Sequence, residues 1–133
     1  MRMKWQTRFE TGDAAIDQQH KLLFDTTNQY RQVLEANAGE ASYDLFLEAL
    51  TLFIETHFSY EEECMFAHLC PAAKQNKREH EGFSLLIQKE HERFAAEGFD
   101  REIAERLLHK IDDWLESHIG RIDVQLKDYL PKA

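Results

Sequence analysis

Pro71 and Pro131 are the only prolines in a chain of 133 residues, and glycine occurs only five times. A proline inside a helix removes a hydrogen-bond donor and clashes with the preceding turn, so this sequence offers few places where a helix must stop. No Val-, Ile- or Thr-rich alternating run competes as a strand. A first helix is predicted from Asp13, an N-cap residue type, to about Ala36, where Asn37, Ala38 and Gly39 end it. A second starts near Ser42 and continues past Met65. "LCPAAK" breaks the chain, and Pro71 suits the first turn of a third helix reaching about Ala96. Asp100 caps a fourth that ends just before Pro131. Short links between four helices of similar length predict an all-α, up-down-up-down antiparallel four-helix bundle forming one domain over residues 1–133.

The inward positions follow from steps of three and four residues. They are Ile16, His20, Leu23, Thr27, Tyr30 and Leu34 in the first helix, and Phe46, Leu50, Phe53, His57 and Glu61 in the second. The third contributes Asn76, His80, Phe83, Ile87 and Phe94, and the fourth Ile103, Leu107, Ile111, Trp114, His118 and Ile122. Each of the four seams therefore carries one histidine. Burying several imidazoles and carboxylates without partners costs a few kcal/mol each, roughly, against a domain stability of only about 5–15 kcal/mol. Pairwise hydrogen bonding is one solution and a shared metal is the stronger one, because His57 and Glu61 at i, i+4 lie on one helix face. Asp123 stands five residues after His118, about 140° around an ideal helix, so periodicity does not single it out from Asp112, Asp113 or Glu116.

Charge excludes other classes. Sixteen Lys and Arg against 25 Asp and Glu give a net charge of −9, which repels phosphate backbones and anionic lipid. There is no apolar run of membrane-spanning length and no secretory leader in "MRMKWQTRFE", so a cytoplasmic location is expected, with no nucleic-acid or membrane partner. Cys64 and Cys70 fit neither a redox pair nor a disulfide framework. No histidine has a glutamate three residues before it, which removes the Glu-x-x-His signature of carboxylate-rich di-iron bundles. A histidine-rich set without thiolate suits iron or zinc.

Four ordered segments resemble the hemerythrin family, especially its bacterial members: "GDAAIDQQHKLLF", "HFSYEEECM", "EHEGF" and "WLESHIGRID". The resemblance covers nearly the whole chain. It implies two iron ions joined by an oxo or hydroxo bridge, with His20, His57, His80 and His118 as terminal ligands and Glu61 and Asp123 as bridging carboxylates. Glu62 and Glu63 are expected on the solvated side, Met65 in the core, and His91 and His109 at the surface. The family's third-helix motif is His-x-x-x-His, whereas Asn76 stands four residues before His80 in "KQNKREH". The iron served by His80 and His118 is then expected to gain an open position, for water or an exchangeable anion. A weakly bound Asn76 or a replacement by His68 are the alternatives.

Dioxygen is the ligand that the resemblance implies. Phe24, Phe53, Phe58, Phe83 and Trp114 are candidates for a wall that excludes water, with plain core packing as the equal alternative. The extra open position favours an easily oxidised dioxygen or redox sensor. Such domains also occur fused to signalling outputs such as diguanylate cyclases, and the chain fits the input module of one. Dioxygen carriage is the neighbouring reading, and an enzyme acting on peroxide or nitric oxide a further one, although no general acid or base stands out and no catalytic residue is assigned.

Overall fold

Two aspartates begin two of the helices. The computed structural model describes residues 4–131, and in it Asp13 accepts a hydrogen bond from the Ile16 N–H at 3.0 Å at the start of α1 (Ala14–Glu35). Asp100 does the same for the Ile103 N–H at 3.1 Å at the start of α5 (Arg101–Arg121). Each side chain satisfies one of the donors that a helix leaves open at its N-terminus. Between them lie α2 (Tyr43–Phe53), a π-helical segment (Ile54–Phe58) and α3 (Ser59–Ala67), which run on as one rod, and then α4 (Ala73–Glu97).

Two helix ends share one device. After α1, Asn37 takes a left-handed φ of 60°, the Asn37 N–H reaches the Leu34 carbonyl at 3.0 Å and the Ala38 N–H the Val33 carbonyl at 3.1 Å. After α3, Leu69 takes a φ of 57°, with the Leu69 N–H on Phe66 O at 3.2 Å and the Cys70 N–H on Met65 O at 2.9 Å. This double bond closes the last open carbonyls of a helix. Asparagine tolerates that backbone; leucine does not do so readily.

Contacts run in a ring: α1 against α2 and α5, the second rod against α4, and α4 against α5. With short links this is the expected up-down-up-down bundle, and the described residues contain no strand. Two boundaries differ from the sequence reading. Pro71 lies in a turn before α4, which starts at Ala73 because the Ala73 N–H is still bonded to Cys70 O. The fourth helix does not continue to Pro131 but ends at Arg121, and a 3₁₀ turn follows over Asp123–Asp128. No helix is long and apolar enough to cross a membrane among the described residues.

The core is in two parts. The larger runs from Tyr30, Tyr43 and Leu47 at one end to Leu23, Phe58, Phe83 and Leu115, and the smaller comprises Ile16, Met65, Cys70, Ala72, Ala73, Ile122 and Leu126. On α1 and α4 the buried histidine lies in sequence between members of the two groups, whereas His57 and His118 are each followed directly by a member of the larger one, Phe58 and Ile119. At the far end of the large cluster the buried Glu90 accepts from Arg93 Nε at 2.7 Å and from the Tyr43 hydroxyl.

Two stability tests follow from these contacts. Leu69 is 84% exposed, so Leu69→Gly relieves the left-handed strain without losing packing and should stabilise by about 1 kcal/mol, read as a Tm rise of a few degrees. Burial alone would raise the Glu90 carboxyl, but Arg93 and Tyr43 hold it below its ordinary value of 4.5. A depressed carboxylate contributes stability above its ordinary value and loses it as pH falls. Glu90→Gln should therefore be less stable than the parent at neutral pH, by about 1–3 kcal/mol, and urea titrations should show the gap closing below pH 4.5.

Candidate metal centre

His57 sits on the π-helical segment, and that placement explains the spacing around it. Phe53, His57 and Glu61 are two successive steps of four, each overshooting one turn of an ideal helix by about 40°. The wider i→i+5 turn of Ile54–Phe58 takes up the excess, so His57 and Glu61 both point inward, with Nε2 to Oε2 at 3.3 Å. Asp123 converges because the α-helix stops before reaching it. The α-helix ends with the Ile122 N–H on His118 O at 2.8 Å, and the 3₁₀ turn opens with Gln125 N–H on Ile122 O at 3.1 Å. The chain leaves the α-helical path before Asp123, so the offset of about 140° in an unbroken helix does not apply, and Asp123 Oδ1 lies 2.9 Å from His118 Nε2.

Glu61, fully buried, stands at the middle. Its Oε2 is 3.0 Å from His20 Nε2, and its Oε1 is 2.9 Å from His80 Nε2 and 3.7 Å from His118 Nε2. Asp123 spans the same gap from the other side, with Oδ2 3.2 Å from His20 Nε2. Two groups result, one of Glu61, His80, His118 and Asp123, the other of His20, His57 and Glu61, each with ligand atoms within 4.8 Å of one another. The structure thus brings together all six residues that the resemblance singled out. Asn76 is fully buried one turn before His80. His68, at the end of α3, belongs to neither group.

The electrostatics fit a cation. Burial alone would lower His20, but hydrogen bonds to Asp123 and Glu61 and their charges push it up to about 9. His118, also buried, is pushed up to about 10 by the charge and hydrogen bond of Asp123 and by Glu61. Glu61 is held well below the usual carboxylate range against its burial, by hydrogen bonds from imidazoles, those of His118 and His20 foremost. In the metal-free protein, protons on His20 and His118 thus supply the positive charge the carboxylates require. His57 differs: burial lowers it, and its Nε2 has no hydrogen-bond partner though fully enclosed. An uncharged imidazole lone pair aimed at a carboxylate in a buried pocket is the donor type that a transition metal takes.

The outward nitrogens are held by residues that the sequence did not reveal. His57 Nδ1–H donates to Gln19 Oε1, His80 Nδ1–H to Glu62 Oε2 at 2.9 Å, and His118 Nδ1–H to Glu79 Oε1 at 2.9 Å. Glu62, expected in solvent, is therefore turned inward, while Glu63 is exposed. Its position beside Glu61 turns it toward α4, where His80 lies. Glu79 also accepts from Arg121 at 2.7 Å and Gln75 at 2.8 Å; burial opposes this, yet the carboxyl is held down to about 2. The signal, visible only once the helix order is known, is adjacency: Gln19, Glu62 and Glu79 each neighbour His20, Glu61 or His80 in sequence.

Of the expected aromatic wall, Phe58 stacks on His80 at 3.7 Å and Trp114 on His118 at 4.2 Å, both nearly parallel, and Phe53 lies 4.7 Å from His57. Phe83 backs Trp114 at 4.4 Å. Phe24 is one ring further out, against Trp5, which itself lies 6.5 Å from His20. Met65 is fully buried, as expected; His109 is exposed and His91 half-buried. A cleft of about 500 Å³ between the π-helical segment and α4, lined by Phe58, Glu62 and His80 among others, leads toward this half of the site.

Four helices arranged around a buried histidine and carboxylate layer define a metal-binding bundle. The Hemerythrin HHE cation binding domain matches residues 11–131, and the chain belongs to that family. It is similar to a bacteriohemerythrin of Ralstonia nicotianae, 28% identical over 128 residues, 96% of this chain and 88% of that one. A bacteriohemerythrin of Clostridium acetobutylicum is 26% identical, with 93% and 98% covered, and one of Aquifex aeolicus 25%, with 86% of each.

Glu61 carries the charge balance of the metal-free layer. Glu61→Ala should destabilise the metal-free protein by about 3–5 kcal/mol by leaving buried cations without their partner; equal denaturation midpoints for variant and parent would contradict this placement.

Proposed function

We propose that this domain binds two iron ions and, through them, dioxygen, and that it serves as a dioxygen or redox sensor. The observation that carries this reading is the division of labour at Glu61: one oxygen toward His20 and His57, the other toward His80 and His118, with Asp123 spanning the same pair of positions. Two carboxylates shared between two imidazole pairs is a donor set for two cations about one carboxylate apart. Such a pair of irons supplies two electrons for reversible dioxygen binding, and the family membership and the names of the relatives support iron as the metal.

The chain's own residues then have separable tasks. His20, His57, His80 and His118 present Nε2, with the Nδ1 contacts of the last three fixing ring tautomer and orientation. Phe58, Trp114 and Phe53 cover the ring faces and exclude water from that side. Asn76 takes the place of the third-helix histidine in the family motif, and an amide oxygen is a poorer donor than an imidazole. An ion held by His80 and His118 would then have one imidazole fewer and room for water or a small anion, which would favour rapid oxidation over storage and hence sensing over carriage. A fused or associated signalling output fits that role.

The deciding experiment is the visible spectrum of anaerobically reduced, iron-loaded protein on admission of air, with iron per chain measured in the same sample. Two irons per chain and a visible band that appears and decays within minutes are expected. A band stable for hours would replace sensing by carriage, and iron below one per chain would remove the di-iron reading.

A further inference from the structure

The contacts behind the histidines form a directed chain around the bundle, and it is broken at one place. Gln19 on α1 supports His57 on the next rod, Glu62 on that rod supports His80 on α4, and Glu79 on α4 supports His118 on α5. The return step from α5 to α1 is missing. Ser117, the neighbour of His118 in the equivalent position, is exposed, and His20 Nδ1 is buried with no hydrogen-bond partner among the described residues. The two halves of the site are consequently unlike. Behind His80 and His118 stand two carboxylates, one of them pinned by Arg121 and Gln75. Behind His57 stands a neutral amide, and the outer nitrogen of His20 has no such partner, the Trp5 ring lying 6.5 Å from the imidazole.

A carboxylate on the outer N–H of a ligating imidazole makes the ring a stronger donor and fixes its orientation, with losses of about 10–100-fold in metal affinity when such a partner is removed. Ring stacking adds to the difference: Phe58 and Trp114 lie parallel to His80 and His118, whereas His20 and His57 meet each other edge to face at 4.8 Å. Building on the two-cation reading above, we propose that the halves fill in order, the His80–His118 half first and tightly, the His20–His57 half second and weakly, with Glu62 and Glu79 as the positioning residues that set the order. The donor lost at Asn76 is thereby offset at the outer nitrogens of the same half.

Anaerobic titration of the metal-free protein with cobalt(II) alone tests this, followed by visible absorption and by proton NMR of the shifted exchangeable Nδ1–H signals. The parent should bind two equivalents in two steps, and the first should shift two such protons, those of His80 and His118. Glu79→Gln and Glu62→Gln should each weaken the first step about 10–100-fold, leaving helix content unchanged. Arg121→Met, at an exposed side chain that touches only Glu79 among these groups, should weaken the same step by less. Gln19→Leu should weaken the second step only. Two equivalents bound without an order, or Gln variants that weaken the second step or neither, would overturn the inference while leaving the two-cation reading intact. Fewer than two equivalents in the parent would overturn both.

Discussion

A single carboxylate, Glu61, faces four imidazoles from four helices, and most of the arrangement follows from the need to hold it there. A buried carboxylate without partners costs several kcal/mol, roughly, so its position is only tolerable if every rod of the bundle delivers a donor at the same height. That requirement fixes the rotation of each helix about its axis and its register against its neighbours, which apolar packing alone specifies loosely. The layer also divides the apolar core into its larger and smaller clusters. Packing supplies the stability; the polar layer supplies the alignment.

The outer contacts extend the same logic by one shell. Gln19, Glu62 and Glu79 tie α1 to the second rod, that rod to α4, and α4 to α5. Each acts on a histidine of the next helix, so ring orientation depends on the packing of neighbouring helices as well as on the local backbone. His20 stands outside this arrangement, with the indole of Trp5 beside it, and Trp5 in turn packs on Phe9 and Phe24. Fold and site are in this sense one construction, with the same side chains setting both.

The sequence made the bundle legible because its signals are local. Asp13 and Asp100 are capping residues followed by apolar periodicity, and both cap as expected. The histidines declared themselves by interrupting apolar seams. What stayed hidden depended on departures from ideal winding or on contacts between helices. Asp123 could not be chosen by angle because the helix ends at Arg121 and tightens. Glu62 looked solvent-facing because one rod's surface is another's neighbour, and nothing in its own periodicity reports the His80 ring. Trp5 precedes the first helix, where no period exists to place it.

The 3₁₀ turn that carries Asp123 packs against the N-terminal 3₁₀ turn at Thr7–Phe9, and Leu126 within it closes the smaller apolar cluster. That cluster has few members, and free energies of local opening scale with the contacts a segment must break. The two carboxylates are therefore anchored to parts of the molecule with different persistence: Glu61 on a continuous rod beside the large core, Asp123 on a short turn at its small end. Fraying of that end withdraws Asp123 from the layer while Glu61 stays in place. The lifetime of the complete donor set is consequently set by the small cluster, and the lifetime of the fold by the large one.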